Sequence, residues 1–305
     1  MKSNLRISGP AIEVLEGRRA GSSIRSPAAT KSRVIPSTMV ASVMLMAVTP
    51  LLFAGQPLET ETARLLGAKV LEMQSVFEFQ TAKDGNEFAL PLAFEYGITD
   101  RLQILVEPVL FSSIHPDGGD STTGIGDTEA TIMYKIADES TYMPALAIAT
   151  EVKFATASNN RIGSGKTDYT PFIIASKRIG RWDLHANFGY SIIGEPTGVS
   201  AENTFNYAVA AEYYASEKWR FVAEVIGNTS ALGRAEGATD GESAATSSVD
   251  PTESVLAPEL GGSETTGMLG VRYVWTPALA LSFGVTYDNQ HAFLFRPGVT
   301  YSIAF

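Results

Sequence analysis

The chain has 305 residues and a formal net charge of −10, with 33 acidic residues against 23 basic ones. It contains no cysteine, which excludes a disulfide framework, a thiolate metal site and a thiolate nucleophile. The acidic balance argues against nucleic acid as a partner, because binding to phosphates needs a basic surface. After residue 54 no apolar run approaches 18 residues, so a bundle of transmembrane helices is excluded.

The first 54 residues have the composition of an export signal. Seven basic and two acidic residues are spread over this stretch, and an apolar run over residues 39–55 ends in small residues. A basic region, a short apolar core and a small-residue exit are typical of a cleaved secretory signal. We therefore predict that residues 1–54 are a signal peptide with a long basic region, and that the mature chain begins near residue 55.

The last 14 residues, 292–305, alternate between two kinds of side chain. Phe293, Phe295 and Val299 share a face with other apolar residues, while the opposite face is small or polar. Strands in soluble sheets are typically about 5–6 residues long, whereas a tilted strand needs about 9–11 residues to cross a bilayer. The chain ends on Phe305, with Tyr301 and Ile303 on the same face, which resembles the C-terminal signal that the barrel insertion machinery of bacterial outer membranes reads.

Eleven further segments show the same alternation, which is typical of membrane barrels. The twelve predicted strands are 67–80, 87–97, 101–111, 125–136, 145–156, 167–179, 182–193, 205–215, 219–228, 265–275, 278–288 and 292–305. An even number of strands suits a closed bacterial barrel, and short connections alternate with longer ones along most of the chain. We predict an all-β fold over residues 55–305, a single antiparallel transmembrane β-barrel of about twelve strands with short periplasmic turns and longer external loops.

The longest connection, residues 229–264, differs in composition from the strands. It is rich in Ala, Gly, Ser and Thr, and it contains seven acidic residues but only one basic residue, Arg234. Such a composition favours disorder, and loops of this length are usually either disordered or functional. We predict a disordered external loop.

Alternation also places charged residues of both signs inside the barrel. On the lipid face a basic side chain at the membrane midplane would cost about 2–4 kcal/mol, whereas inside the barrel it can be paired or hydrated. The same alternation predicts that some apolar residues also face inward, among them Val109 and Phe111. The predicted pore-lining residues are Glu72, Glu78, Glu95, Arg101, Glu107, Glu129, Lys135, Glu151, Lys153, Asp183, His185, Glu212, Arg220, Glu224, Arg272 and Arg296. Because acidic residues exceed basic ones in this lining, a moderate preference for cations is expected.

Four stretches carry a resemblance to a known family. They are YGITDRL at 96–102, GIGDT at 124–128, PALAIATEVK at 144–153 and DLHANFGY at 183–190. With these stretches the chain resembles the outer-membrane transporter family of the meta-cleavage phenol-degradation pathway. The resemblance implies an outer-membrane barrel that passes hydrophobic or aromatic compounds, and it assigns no residue roles.

The sequence favours a channel in the bacterial outer membrane for passive passage of small solutes, with hydrophobic or aromatic compounds among the candidates. Membrane lipid and a small solute are the expected partners, together with the insertion machinery; no cofactor, no metal and no enzymatic activity are expected. One alternative is a structural or adhesive barrel whose lumen is plugged. The other is an outer-membrane lipid hydrolase that uses His185, although Ser191 on the same strand is too distant to be its partner, roughly 20 Å by strand rise.

Overall fold

The protein is a closed antiparallel barrel. The structure, a computed structural model, describes residues 55–195, 201–231 and 263–305. Over these residues the strands are β1 (Val70–Val76), β2 (Glu78–Ala82), β3 (Gly85–Thr99), β4 (Leu102–Pro116), β5 (Thr122–Gly124), β6 (Thr128–Ala137), β7 (Ala145–Phe154), β8 (Asp168–Ile179), β9 (Trp182–Ser191), β10 (Thr204–Tyr214), β11 (Trp219–Asn228), β12 (Glu264–Thr276), β13 (Leu279–Asp288) and β14 (Phe293–Ala304).

Thirteen of these elements make up a barrel wall of twelve strands, because β1 and β2 together form one of them. Neighbours in sequence pair with each other from β6 to β14, and β4 pairs with β3 and β6. The last strand closes the barrel by pairing with both β1 and β2, which lie end to end between β14 and β3. The short β5 pairs only with the end of β4. The prediction of a single antiparallel barrel of twelve strands is therefore confirmed.

The wall separates apolar side chains from charged ones. Outward positions carry large exposed hydrophobic side chains, including Ile173, Phe188, Phe205 and Leu269, each at least 59% exposed. Inward positions on the same strands carry buried polar and charged groups. A closed barrel satisfies its backbone hydrogen bonds between strands, so this arrangement presents an apolar surface to lipid and keeps the charges in the interior.

The two ends of the barrel differ in their connections. At one end, which we call the short-turn end, β8 joins β9 through Gly180 and Arg181, and β12 joins β13 through Pro277 and Ala278. The opposite, loop end carries the connection 155–167, together with the end of β11 at Asn228 and the start of β12 at Glu264. Outward-facing Trp182, Trp219 and Trp275 all lie beside short turns, and each is between 46% and 60% exposed. Indole rings favour the headgroup level, so these three tryptophans fit one membrane boundary.

Three predicted features differ from the structure. Strands β3 and β4 each run for 15 residues and so extend farther towards the loop end than predicted. Between Ala89 and Pro91 the register of β3 with β4 shifts by one residue, and this bulge turns Phe111 outward instead of inward. The predicted strand 125–136 begins only at Thr128, because residues 122–124 pair separately with β4.

Two sequence predictions fall outside the described residues: the signal peptide at 1–54 and nearly all of the acidic loop 229–264. The part of the chain that the structure describes contains no helix long and apolar enough to span a membrane.

Candidate functional site

The lumen of the barrel holds a stretch of the chain's own backbone. Residues 55–66, which we call the inserted segment, precede β1 and lie among inward-facing side chains of the wall. Leu58, Thr60, Ala63 and Leu66 are each at most 5% exposed. The sequence prediction places these residues simply at the start of the barrel domain, so their position inside the lumen is a finding of the structure.

Charged side chains of the wall bind the backbone at the beginning of this segment. The Arg272 guanidinium donates from Nε to the carbonyl of Gln56 (2.6 Å) and also bonds the carbonyl of Gly55. Arg296 donates to the carbonyl of Pro57 (3.2 Å) and to the Glu59 carboxylate (2.6 Å). A backbone without regular secondary structure is tolerated at membrane depth only where protein groups or water satisfy it, and these arginines do so.

The middle of the segment is bound by a carboxylate and a hydroxyl. Glu224 on β11 accepts hydrogen bonds from the N–H groups of Glu59 (3.1 Å) and Thr60 (2.5 Å). The N–H of Ala63 donates to Ser176 Oγ on β8 (2.9 Å). Glu224 is 4% exposed, so without these donors its ionised form would be buried at a considerable cost.

At the short-turn end the segment leaves the lumen past a group of ion pairs. Arg64 donates to Glu139 in the β6–β7 turn (2.8 Å) and pairs with Asp183 on β9. Arg178 also donates to Asp183 (2.6 Å), and its guanidinium lies 4.5 Å from the ring centroid of Tyr214. The N–H of Leu66 then donates to Gln103 (2.7 Å). These contacts tie the inserted segment to the wall at this end.

Apolar contacts add to the polar ones. Leu58 packs in a buried cluster with Ala210, Val222 and Met268. Burial of a leucine side chain contributes about 1.5–3 kcal/mol. Two wall residues beside Pro57 are glycines and have no side chain. A Cβ added at Gly270 would lie 2.8 Å from Pro57, and one added at Gly284 would lie 3.0 Å from it. These two glycines are directly paired across β12 and β13, so they leave room for the proline.

Above the inserted segment, towards the loop end, the lumen contains a cavity of about 470 Å³. Gln56, Leu58, Glu59 and Glu61 of the inserted segment contribute to its lining. Its wall combines apolar groups with charged ones, and the charged ones are mostly acidic. The charged lining residues are Glu59, Glu61, Glu78, Glu95, Glu107, Asp127, Glu129, Glu151, Lys153, Asp168, Glu264, Asp288 and Arg296.

The predicted pore-lining residues divide into groups. Those that line the cavity are Glu78, Glu95, Glu107, Glu129, Glu151, Lys153 and Arg296. Others lie buried outside the cavity lining, in the wall around the inserted segment: Glu72, Asp183, His185, Glu212, Arg220, Glu224 and Arg272. Lys135 lies nearer the short-turn end and pairs with Asp138 (2.6 Å). Arg101 is a correction: it lies in the β3–β4 turn, half-exposed, and also pairs with Asp138, because β4 begins one residue later than predicted.

The three residues of the predicted insertion signal lie at the end of the closing strand. Tyr301 and Phe305 are exposed, at 44% and 75%, and Ile303 is partly exposed. The N–H of Phe305 donates to the carbonyl of Lys69 (3.0 Å), so the end of the chain is held beside the start of β1. Their role as an insertion signal stays a prediction.

His185 has a hydroxyl neighbour that the sequence analysis did not identify. Ser176 Oγ lies 2.9 Å from His185 Nδ1, and the two residues are at most 5% exposed. The partner is on the adjacent strand, opposite His185 in the register of β8 with β9, which is why inspection of a single strand misses it. The same hydroxyl accepts the N–H of Ala63, so this pair anchors the inserted segment.

Glu139 connects the β6–β7 turn to the inserted segment and to β8. Besides Arg64, it accepts the N–H of Arg178 (2.9 Å) and pairs with Lys177 (3.3 Å). Partial burial raises the pKa of the Glu139 carboxyl, but the Arg178 hydrogen bond and the lysine and arginine charges outweigh it and hold the pKa below its usual range. The carboxylate therefore remains ionised at neutral pH, and its contacts are lost only as pH falls through this lowered pKa.

Replacement of Glu139 is expected to loosen the inserted segment at neutral pH. Glu139→Gln removes the charge that pairs with Arg64, so openings in a planar-bilayer recording at pH 7 should become more frequent, as in the wild type under strong acid. Asp138→Asn is a matched control, since Asp138 lies in the same turn but pairs with Lys135 and Arg101. Equal responses of the two variants would contradict a specific role for Glu139.

Comparisons with known proteins agree with this architecture. The sequence profile of the family described as "Putative MetA-pathway of phenol degradation" matches residues 101–259. No curated protein sequence matches the chain.

Two solved structures are similar in fold. The crystal structure of an outer membrane channel from Pseudomonas putida F1 has a TM-score of 0.61 at 12% identity, over 79% of this chain and 98% of that one. The NanC porin has a TM-score of 0.50 at 12% identity, over 75% and 98% of the two chains. Identities this low establish a shared fold alone. The family profile covers just over half of the chain, and the chain therefore belongs to the phenol-degradation family that this profile describes.

Proposed function

We propose that the protein is a channel of the bacterial outer membrane that passes small solutes passively. The observation that carries the proposal is the cavity of about 470 Å³ inside a closed wall of twelve strands, with the inserted segment as part of its lining. A solute enters from the loop end and meets a lining of acidic and apolar groups. Passage along the axis requires the inserted segment to move or to leave a narrow path beside it.

The family description supports aromatic compounds as solutes, because phenol degradation consumes a small aromatic ring. The cavity lining suits such a solute, since apolar Leu105, Val109 and Phe172 lie among the carboxylates. An apolar or aromatic ring can contact these side chains while a hydroxyl group bonds to the polar ones.

The membrane placement follows from the surface of the barrel. The outward face is apolar, and three exposed tryptophans lie at the short-turn end. In outer-membrane barrels the short turns are periplasmic and the longer loops are external. We place the short-turn end, the exit of the inserted segment and Glu139 on the periplasmic side.

A structural or adhesive barrel is the second candidate, and the inserted segment is the observation that favours it. If the segment never moves, no solute can pass through the lumen. The function would then depend on the external loops, which could bind a partner. A lipid hydrolase is less well supported, because the Ser176–His185 pair is buried inside the lumen, where a membrane lipid has no access.

Single-channel recording of the purified full chain in a planar bilayer distinguishes these candidates. We expect discrete conductance steps of small amplitude, because the inserted segment narrows the path. A barrel that runs as folded protein on unheated gels but gives no conductance step would overturn the channel and favour the plugged barrel.

A further inference from the structure

The charged lining of the cavity is strongly acidic, and its basic residues are already engaged. Those basic residues are Lys153 and Arg296. Lys153 pairs with Asp168 (2.5 Å), and Arg296 pairs with Glu59 (2.6 Å) and Glu78 (2.9 Å). Most of the remaining carboxylates of the lining therefore depend on other partners.

Three carboxylates of this lining have no ion pair within the described part of the chain. They are Glu61 of the inserted segment, Glu95 on β3 and Glu107 on β4. Glu95 lies directly opposite Leu105 in the register of β3 with β4, and Glu107 is two residues farther along β4. Glu95 and Glu107 are therefore diagonal neighbours, with Cβ atoms roughly 7 Å apart. We call these three residues the carboxylate site.

Glu95 is the most deeply buried member of the carboxylate site. It is 3% exposed, and it lines the cavity. Gln103 donates to its Oε1, whereas its Oε2 has no hydrogen-bond partner among the described residues. The charged groups that act on it, Glu72, Glu61 and Glu107, are all acidic. Burial of an ionised carboxylate is costly unless a cation or several donors compensate for the lost water, and Glu95 has one neutral donor.

Glu107 is in a similar position. It lies directly opposite Glu129 on β6, and Glu61 and Glu59 add further negative charge around it. Arg296 also acts on Glu107, but this arginine is held by Glu59. A buried carboxylate without a partner either takes up a proton or binds a cation. The carboxylate site therefore has the charge, and beside it the space, for a cation that the wall does not supply.

The spacing of the carboxylates does not suit a metal ion. Oxygen ligands of calcium must converge to about 2.3–2.6 Å from one point. Among the described residues no group of three or more carboxylates or histidines is close enough together to hold a metal ion. A primary ammonium group fits better, because it carries three N–H donors that point in different directions and can reach separate acceptors.

An apolar patch lies beside the carboxylate site. Leu105, directly opposite Glu95, is 4% exposed. It belongs to one buried cluster with Ala93, Ala149 and Ile174, and Phe172 packs against that cluster. All five of these residues line the cavity. A ring or a short alkyl chain can pack on this patch while a charged group at its end reaches the carboxylates.

We propose that the carboxylate site binds a primary ammonium group. The proposal rests on the proposed function and narrows its solutes to small amines with an aromatic or alkyl body. Hydrogen bonds between ionised partners are shorter and stronger than neutral ones, so the charge of the amine decides its affinity. The apolar patch binds an amine and an alcohol of the same shape alike, because both bury the same area.

The ammonium group can come from two sources. One is a solute amine that enters from the loop end. The other is the chain itself, because cleavage near residue 55 creates a new α-ammonium group at about Gly55. This glycine lines the same cavity, and its carbonyl is bonded by Arg272. Both sources present the same chemistry to the carboxylates, and the experiment separates them.

Calorimetric titration of the barrel, purified from outer membranes in a non-ionic detergent, tests the site without requiring passage through the lumen. The probes are 2-phenylethylammonium and 2-phenylethanol, which share a ring and a linker and differ in the terminal group. We expect the ammonium probe to bind about tenfold more tightly than the alcohol, or better. Measurable binding of both probes with equal affinity would overturn the site.

Replacement of single carboxylates locates the site. Glu95→Gln and Glu107→Gln should each weaken binding of the ammonium probe about tenfold and leave binding of the alcohol unchanged. The matched control is Glu264→Gln, which removes the same charge from the same cavity, four strands away on β12, where the carboxylate is bonded to Thr266. It should have little effect. Equal losses in all three variants would show only a general attraction to negative charge and would overturn the site.

Glu107→Gln also covers the case in which Glu95→Gln fails to fold. Glu107 makes no hydrogen bond within the described residues, so its replacement breaks none, whereas Glu95 is bonded to Gln103. Folding of each variant is checked by its heat-dependent mobility on gels. Unchanged binding of the ammonium probe to folded Glu107→Gln would contradict the proposal.

The source of the ammonium group is identified by the reactivity of the chain's own α-amine. The reagent is 2-pyridinecarboxaldehyde, which modifies N-terminal amines selectively, and the product is measured by intact mass. Binding of the ammonium probe to the wild type assigns the site to a solute. No binding, with an α-amine that reacts only after the barrel is unfolded, assigns it to the chain's own terminus. No binding with an α-amine that reacts in the folded barrel would overturn the site.

Single-channel recording separates this result from the proposed function. Discrete conductance steps in a barrel whose carboxylate site is overturned by these tests would leave the channel in place. Binding of the ammonium probe to a folded barrel that gives no conductance step would overturn the channel and retain the site.

Discussion

Deletion of residues 56–66 is expected to increase the single-channel conductance of the barrel severalfold. These residues fill the lumen below the cavity, and Leu58, Thr60, Ala63 and Leu66 are almost completely buried there. Their removal would connect the cavity with the short-turn end. The charged groups that bind the segment, Arg272 and Glu224 among them, would then be hydrated and would line the wider path.

The contacts of the inserted segment explain why so large an effect is expected. A hydrogen bond that involves a charged group is worth about 1.5–3 kcal/mol, and a neutral one about 0.5–1.5 kcal/mol. Arg272 and Arg296 each donate to at least two groups of the segment, and Glu224 accepts from the N–H of Glu59 and from the N–H and the hydroxyl of Thr60. Spontaneous release would break many of these at once, so the wild type should spend most of its time with the segment in place.

The control for this deletion removes the same number of residues from another part of the chain. Deletion of 236–246 shortens the acidic loop by eleven residues and should leave the conductance nearly unchanged. Both variants are first checked for folding by their heat-dependent mobility on gels. A folded 56–66 deletion with wild-type conductance would show that the segment does not limit the path.

The fold could be predicted closely because its determinants are local. Alternation at period two is visible along each strand, and in a barrel it fixes which side chains face lipid. This alternation predicted that Glu224, Arg272 and Arg296 face the lumen, and the structure places all three there, buried. It failed at Phe111, because a bulge inserts one residue and reverses the alternation, and no local signal marks the bulge except the nearby prolines.

The inserted segment could not be predicted in this way, because its contacts are far apart in sequence. Glu59 and Glu224 are separated by 165 residues, and Gln56 and Arg272 by 216. Its sequence has no regular period, so it resembles an ordinary linker. Two features of the sequence could have indicated a segment inside the lumen. The predicted lumen contains many charged groups that need partners, and Gly270 and Gly284, which pair with each other and face inward, leave space there.

The second large effect concerns ion selectivity, which should depend on three carboxylates of the cavity wall. Glu107 and Glu129 lie directly opposite each other on β4 and β6. On β7 the residue opposite Glu129 is Lys153, which pairs with Asp168, and Glu151 lies two residues away on the same strand, opposite Thr131. Glu107, Glu129 and Glu151 all line the cavity, where basic side chains are few. Rings of carboxylates favour cations because they lower the energy of a cation and raise that of an anion in a narrow, weakly screened space. We therefore expect the wild-type channel to prefer cations.

The triple variant Glu107→Gln, Glu129→Gln, Glu151→Gln should bring the cation-to-anion permeability ratio close to one. The ratio is obtained from the reversal potential across a salt gradient. A control with the same change in charge is Asp117→Asn, Asp120→Asn, Glu217→Gln, since these exposed rim positions are screened beyond about 8 Å at physiological salt and should matter little. Deletion of 231–262 should likewise have a small effect. Anion preference in the wild type, or selectivity lost on that deletion but retained in the glutamine variant, would show that the cavity carboxylates do not set selectivity.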